Sequence, residues 1–371
     1  MTSKKRLNIA VIGAKGFPAR GGCARANEEI YIRLVKDHNV TVYAMGTHTT
    51  YKYYKGIKQI IIKLKKHTGF YVSIYLFLSA LHAIVFGNYD IIHVNHLSSG
   101  FIVPILKIRY PVLLNARGVL DLTDIEDNKW NNIYKSIFRI STIIGLYFAD
   151  YITTVQKSSL PLLGSYCKSN LIYIPNGIDT EYFIIHSFID NTIYLADITF
   201  SAARIIGLKG LHILLAALHT ISFEGTIRII GDIDQIPTYK KEIMILAKGL
   251  KCEFTGLIRN KEELFKQISN SKLFVFPSFT EGMSNMLLEV AALKVPIIAS
   301  DITPNKDVFN KEEITFFKTG DIKDLAEKIE YAFNNYSQIS KKTTKAFNRL
   351  ISDYSWDDIS KEYIQVLENI I

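Results

Sequence analysis

Cysteine is scarce. The 371 residues hold three, Cys23, Cys167 and Cys252, too far apart in sequence to form a ligand-like pair. That excludes a disulfide framework and a zinc site as organising devices and points to a reduced, cytoplasmic setting. A secretory leader is also missing: the basic start MTSKKRLNIAVIGAKG runs into a short apolar stretch that ends in glycines without a small-residue cleavage site, and it reads as a first strand. Low-complexity tracts and short repeats are absent. Acidic residues are missing from one segment, YKYYKGIKQIIIKLKKHTG, which carries Lys52, Lys55, Lys58, Lys63, Lys65 and Lys66 interleaved with aromatic and apolar residues. It suits either an anionic membrane surface, at about 1 kcal/mol per basic residue, or an ordinary solvated basic face. Long apolar runs are missing too, with one exception: Phe70 to Gly87, FYVSIYLFLSALHAIVFG, approaches the length of a membrane span. His82 and small polar residues interrupt it, and strand-like segments lie on both sides, so we read it as a buried crossover helix of a doubly wound sheet, with a monotopic membrane contact together with the lysine segment favoured over a true span.

What is present describes a globular chain of two domains, each of roughly 150 to 200 residues. The apolar fraction is 48%, the charged fraction 21%, and the net charge of +9 leans toward anionic partners, leaving nucleic acid, acidic membrane and phosphorylated ligands open. Leu7 to Ile12 is a compact apolar run followed by Gly13, Gly16, Gly21 and Gly22 and then by Ile30, Tyr31, Leu34 and Val35 at helical spacing: strand, glycine loop, helix. Val40 to Ala44, Ile91 to Val94, Tyr151 to Val155 and Leu171 to Ile174 continue the strands of a first domain, with His93 packed inside its strand. Pro175 to Phe183, PNGIDTEYF, is a polar break where the chain crosses over, so residues 1–175 form the first domain and 176–354 the second. Thr192 to Phe200 and Thr226 to Ile230 read as strands of the second, with Asp232 in the turn that follows. At the end, Trp356, Ile359, Tyr363, Val366 and Ile370 recur at steps of three and four behind Ser355, the signature of a capped amphipathic helix in need of a partner surface.

The richest stretch is Phe274 to Ser300, FVFPSFTEGMSNMLLEVAALKVPIIAS. An apolar run reads as a buried strand, Pro277-Ser278 opens a polar turn, a helix starts near Asn285, and Val295 to Ala299 reads as the next parallel strand. Ser284 or Asn285 can cap that helix, so the first N–H groups of Asn285, Met286 and Leu287 and the positive dipole end would face a crevice above the strand, a setting for phosphate. Glu281 in the turn and Glu289 on the helix have seven residues between them. Both would repel a phosphate alone, but carboxylates accept hydrogen bonds from hydroxyls, so the set suits a phosphate with hydroxyl-rich rings at either end, which is the shape of a nucleotide sugar. Earlier in the second domain, Arg204 and Lys209 flank Gly207 and are closed by Gly210 at a strand-to-helix junction, where Arg can fork onto two phosphate oxygens and Lys acts as a point charge.

The run PSFTEGMSNMLLEVAALKVPIIASD resembles the donor-site signature of glycosyltransferase family 4, retaining sugar transferases of the GT-B fold. The resemblance implies an α/β GT-B architecture, two doubly wound Rossmann-like domains facing across a cleft, with the helix of residues 355–371 crossing back to the first. It implies that Glu281 contacts the transferred sugar, that Glu289 holds the nucleotide ribose, and that Arg204 and Lys209 neutralise the diphosphate. The stretch GAKGFPARGGCARANEEIYIRL resembles the family's N-terminal loop, whose glycine pair, here ending at Gly22, faces the donor diphosphate; Ala24 stands where an acidic residue is common. Lys294 stands where relatives have a glycine that ends the helix. Either Asn95 or His96 fills the family's histidine position near the reacting sugar, and Arg117 of LLNARGVLD is an acceptor contact or a structural ion pair. A donor of the UDP-sugar kind, a glycan or lipid-linked acceptor, no nucleic acid, no metal and no further cofactor are the expectations, since no Asp-x-Asp motif lies beside these residues. The setting is cytoplasmic, with a peripheral place on the inner face of the cell membrane as its variant. Competing readings are another nucleotide-dependent Rossmann enzyme, against which the first loop lacks a tight G-x-G-x-x-G, and a noncatalytic protein that binds anionic membrane or glycan.

Overall fold

The computed structural model describes residues 6–19, 22–66, 69–117, 132–168, 170–185 and 196–370. The chain divides into two compact units, Met1–Asn176 with Trp356–Ile371, and Gly177–Ser355. Gly21, Gly118 and the start of the strand expected from Thr192 lie outside the described residues.

In the first unit the chain runs β1 (Asn8–Ile12), α1 (Gly22–Leu34), β2 (Asn39–Met45), β3 (Tyr53–Tyr54), β4 (Ile57–Ile62), α2 (Gly69–Phe86), β5 (Ile91–Asn95), α3 (Val103–Leu106), β6 (Val112–Ala116), α4 (Asn132–Phe148), β7 (Tyr151–Thr154), α5 (Leu160–Gly164) and β8 (Asn170–Tyr173). The sheet order is β3-β4-β2-β1-β5-β6-β7-β8, parallel throughout except for the β3–β4 pair. The chain therefore starts in the middle, winds to one side and returns to wind to the other, so a topological switch point lies between β1 and β5. Alternation along β1 sends Ala10 and Ile12 into a core shared with α2 and α4, and Ile9 and Val11 into a core shared with α1.

The second unit repeats the plan with α6 (Thr180–Ile185), β9 (Ala196–Arg204), α7 (Leu211–Thr220), β10 (Thr226–Asp232), α8 (Pro237–Leu246), β11 (Lys251–Gly256), α9 (Lys261–Ser269), β12 (Ser271–Phe276), α10 (Asn285–Ala292), β13 (Ile297–Ser300), α11 (Thr303–Val308), β14 (Thr315–Phe317), α12 (Ile322–Asn334) and α13 (Tyr336–Asp353). Its sheet order, β11-β10-β9-β12-β13-β14, is all parallel and puts the switch point between β9 and β12. The chain then leaves this unit: α14 (Trp356–Asn369) buries Trp356, Ile359, Tyr363, Val366 and Leu367 in the first unit's core beside Ile9, Val11 and Ile174. Five such side chains at roughly 1.5–3 kcal/mol each give the returning helix its anchorage. Arg33 of α1 adds an ion pair to Asp357, 2.6 Å away.

One segment takes a shape the sequence left open, and one expectation needs correction. The lysine-rich segment is an edge of the first sheet, with an antiparallel β3–β4 turn through Lys55 (φ 43°) and Gly56 (φ 83°). Its Tyr54 turns inward and donates to Glu28 Oε1 at 2.8 Å, so of the three tyrosines only Tyr51 and Tyr53 are exposed. The Phe70–Gly87 run does form the crossover helix α2, but it is buried on one face only: Tyr75, Leu76, Ala80 and Ala83 face the core while Phe70, Phe77, Leu81 and Val85 face outward. Among the described residues no helix is long and apolar enough to cross a membrane.

Candidate functional site

At the second switch point two loops meet. One leaves β9, turns through a 3-10 helix at Gly207–Lys209 and enters α7; the other leaves β12 at Pro277 and enters α10. Their backbones are joined where Phe279 N–H donates to Leu208 O at 2.9 Å. Gly210 makes the closeness possible. It takes φ 72°, and a Cβ there would meet Pro277 O at 2.0 Å, so no side chain fits. His212 of α7 stacks on Phe279 with ring centroids 5.7 Å apart and planes 8° from parallel, and its Nδ1 lies 2.9 Å from Tyr239 Oη. Burial pushes the His212 pKa down and that of Tyr239 up to about 12, so both stay uncharged beneath the loop at neutral pH.

This packing carries Lys209 and Glu281 to each other: Lys209 Nζ donates to Glu281 Oε1 at 2.6 Å, with both side chains partly covered. Arg204 ends β9, exposed, in register with Asp232 of β10, and its guanidinium makes no ion pair among the described residues. Asp232 itself ends β10, its carboxylate accepting from Asp234 N–H and Gln235 Nε2 as a turn residue does. Ser284 is the cap of α10, its Oγ accepting from Leu287 N–H at 3.3 Å. The Leu287 N–H is thereby taken by the helix's own cap. Glu289, one turn further, is buried, with Lys261 Nζ at 3.7 Å from its Oε1; Lys261 opens α9 behind the Asn260 cap. The loops of this switch point thus carry Lys209 paired with Glu281, with Arg204 at the end of β9 and Glu289 on the helix that the second loop enters; side chains of these kinds can neutralise a diphosphate and accept hydrogen bonds from hydroxyls.

The first switch point has another character. Gly22 opens α1. The loop before it is held by side chains that sequence reasoning missed: Gln59 of β4 accepts from Phe17 N–H at 2.7 Å and donates to Phe17 O at 3.0 Å, and Glu28 accepts from Ala19 N–H at 2.7 Å. Asn95 and His96, adjacent in sequence, part company. Asn95 is buried and donates to Tyr31 Oη at 3.2 Å. His96 is exposed, takes φ 77°, and caps the turn at Leu97–Ile102 by accepting from Ser98 N–H. Tyr31 Oη also lies 2.6 Å from His93 Nδ1, inside the sheet as expected for His93. Burial, with the positive charge of Arg117 adding to it, pushes the His93 pKa down to about 3. Arg117 is itself buried and donates to Asn176 Oδ1 at 2.7 Å, a structural bond to an amide rather than to a carboxylate. Asn115 of β6 donates to Tyr363 Oη of α14 at 2.8 Å, which ties the returning helix to the same strand ends.

Comparison with known proteins follows this division. Residues 20–182 match the model of Glycosyltransferase Family 4, and residues 197–335 match that of Glycosyl transferases group 1. The capsular polysaccharide biosynthesis glycosyltransferase CapM of Staphylococcus aureus is 28% identical over 169 residues, 43% of this chain and 44% of that protein. The putative teichuronic acid biosynthesis glycosyltransferase TuaC of Bacillus subtilis is 33% identical over 75 residues, 20% of this chain and 19% of its own. The chain thus spans less than half the length of the curated relatives it matches. Among solved structures, sucrose-phosphate synthase from Thermosynechococcus elongatus superposes with a TM-score of 0.82 at 18% identity, covering 98% of this chain and 99% of that one. Anabaena HepE in complex with UDP and glucose gives 0.77 at 16% identity, covering 98% and 100%. At these identities the structural likeness is one of fold.

Proposed function

We propose that this chain, which belongs to glycosyltransferase family 4 and has the two Rossmann-like units of the GT-B fold, moves a sugar from a nucleoside diphosphate donor to a glycan or lipid-linked acceptor, with retention and without a metal, in the synthesis of a surface polysaccharide. The observation that carries this reading is the pair of Lys209 and Glu281, 2.6 Å apart at the β9–β12 switch point. Lys209, with Arg204 beside it, stabilises the charge that builds on the departing diphosphate, the kind of preorganised electrostatics that lowers barriers most. The α10 start adds its dipole and the N–H groups of Asn285 and Met286. These groups do the work that a divalent cation does in other transferases. Glu281 accepts from hydroxyls of the transferred sugar, and Glu289, buried behind the helix start, accepts from the ribose. In the first unit we assign the Gly22 N–H to the donor phosphates and His96, the exposed member of its pair, to the sugar or acceptor. Arg117 and Asn95 act from beneath as positioning residues. The retaining outcome rests on family membership.

The CapM and TuaC relatives support a polysaccharide acceptor, and the UDP held by HepE makes UDP-sugars the first donors to try. The test is release of nucleoside diphosphate from a panel of nucleotide sugars, in EDTA, with and without acceptor glycans. We expect slow hydrolysis of one donor without acceptor. Failure of every donor to bind or react would overturn the reading, and a requirement for added magnesium or manganese would overturn its metal-free form.

A further inference from the structure

The outward face of α2 is unlike the solvent face of an ordinary surface helix. The eighteen residues of α2, Gly69–Phe86, include no charged side chain at all. A helix that is apolar all round belongs inside a protein or inside a lipid phase, yet Phe70 (74% exposed), Phe77 (47%), Leu81 (46%) and Val85 (55%) form a stripe at helical spacing on the side away from the core. A second apolar face lies on the same side of the sheet. α2 and α4 both pack on the turn at Leu97–Ile102, and α4 turns Ile137 and Ile140 outward, each more than half exposed. Exposed apolar surface of this kind marks a docking site.

Charge says what docks there. No carboxylate occurs between Asp37 and Asp90, while Lys63, Lys65 and Lys66, at the approach to α2, are all exposed. At the other end Arg109 reaches back to donate to Ile84 O of α2. On α4, Lys135 and Arg139 alternate with the two isoleucines, and Lys168 donates to Tyr147 Oη at 2.6 Å. The nearest described acids are engaged elsewhere: Asp90 accepts from Asn8 N–H, and Asp150 from Lys107 and Val112 N–H. An apolar stripe rimmed by cations fits a bilayer with anionic headgroups, where side chains enter the acyl boundary and lysines meet phosphates. A second copy fits poorly, since a symmetric contact would set these cations against their own kind.

We propose that the outer face of α2, flanked by α4 and the lysines at 63, 65 and 66, is the surface by which this protein lies on an anionic membrane. The site differs from the β3–β4 edge, and the proposal does not depend on the sugar-transfer reading, because its test uses no donor. The full chain is co-sedimented with vesicles of phosphatidylcholine alone and of phosphatidylcholine mixed with phosphatidylglycerol, across a salt series. We expect binding to the anionic vesicles that fades as salt screens charges over about 8 Å. Binding should fall about tenfold or more in Phe77→Ser/Leu81→Ser, the scale for withdrawing two apolar side chains from an interface, with the thermal transition unchanged because both residues are exposed. Replacing all three lysines by Glu should remove the preference for anionic vesicles. As a readout independent of folding losses, Phe77→Trp should show a blue shift of emission on adding anionic vesicles, beyond that of the unsubstituted chain. Unchanged binding in the double variant, no binding by the natural chain, or a dimer in sedimentation equilibrium that the double variant abolishes would each overturn the proposal.

Discussion

At the switch point of the first sheet the side chains that meet are buried and, Arg117 apart, neutral; at that of the second they are charged, and Lys209 and Glu281 are partly open. Strand order and parallel pairing are alike in the two units, so architecture does not account for the contrast. In the first, Tyr31, His93, Asn95, Asn115 and Tyr363 knit α1, β5, β6 and α14 together through hydrogen bonds among uncharged groups. In the second, Lys209 pairs with Glu281, Glu289 on α10 lies near Lys261, and Arg204 ends β9 exposed. A doubly wound sheet supplies a crevice at the switch point in either case. What fills the strand ends differs: hydrogen bonds among mostly uncharged groups in the first, ion pairs beside a helix start in the second.

The largest expected effect removes the charge from the second site. Lys209→Ala and Arg204→Ala should each lower turnover by roughly two to three orders of magnitude, the scale for losing one preorganised donor, with the protein still folded. Steady-state kinetics beside thermal melts checks this, and near-natural turnover in both variants would make the second site as structural as the first.

Next come the two carboxylates. Glu289→Ala deletes hydrogen bonds made alike in ground and transition states and should raise the donor KM by about tenfold or more at similar kcat. Glu281→Ala, beside the reacting sugar, should instead lower kcat. A reversal of that pattern would turn the donor around in the site.

For the first unit the comparison predicts a stability effect in place of a kinetic one. His93 titrates near 3 when folded and near 6.5 when unfolded, chiefly through burial. Below pH 6.5 the unfolded chain takes up a proton that the folded chain refuses, so stability is full above that value and drains away as pH falls toward 3. Between pH 7 and pH 5 the loss from this residue should be about 2 kcal/mol. Urea melts of the natural chain and of His93→Gln at the two pH values isolate it; equal losses in both proteins would count against a neutral buried imidazole.

The smallest effect concerns a helix end. Lys294 closes α10 with φ 56°, the left-handed conformation that glycine suits, and its Nζ lies 4.2 Å from the centre of the Phe347 ring. Lys294→Gly relieves about 1 kcal/mol of backbone cost and gives up a cation–π contact of about 0.5–1 kcal/mol at an exposed site. The melting temperature should therefore move by no more than a few degrees, and a large drop would show the ring contact to dominate.

Legibility in the sequence followed chain distance. The 274–300 stretch holds strand, turn, capped helix and both carboxylates within one local segment, and β12, α10 and β13 fall there. The amphipathic period of α14 was equally plain, and its stripe does bury against the first unit. The Lys209–Glu281 contact joins residues 72 apart, brought together by a backbone bond and a glycine whose space is set by another loop. Gln59 is invisible for the same reason, holding the backbone of Phe17, 42 residues away. The strand pairing of the lysine run was not legible because Ile57, Gln59 and Ile61 alternate only across the short β4. A membrane contact by α2 was one reading of the run, but which of its residues face outward was not legible, since a stretch without charged residues has no period to tell its inner side from its outer.

The account's central claim is that cations and a helix start at the β9–β12 switch point, without a metal, hold a nucleoside diphosphate. Calorimetric titration of UDP in EDTA, into the natural chain and into Lys209→Ala, tests it most directly. Binding by the natural chain that Lys209→Ala weakens tenfold or more, about 1.4 kcal/mol, is the predicted result; binding that appears only with added divalent cation, or that the substitution leaves unchanged, would contradict it.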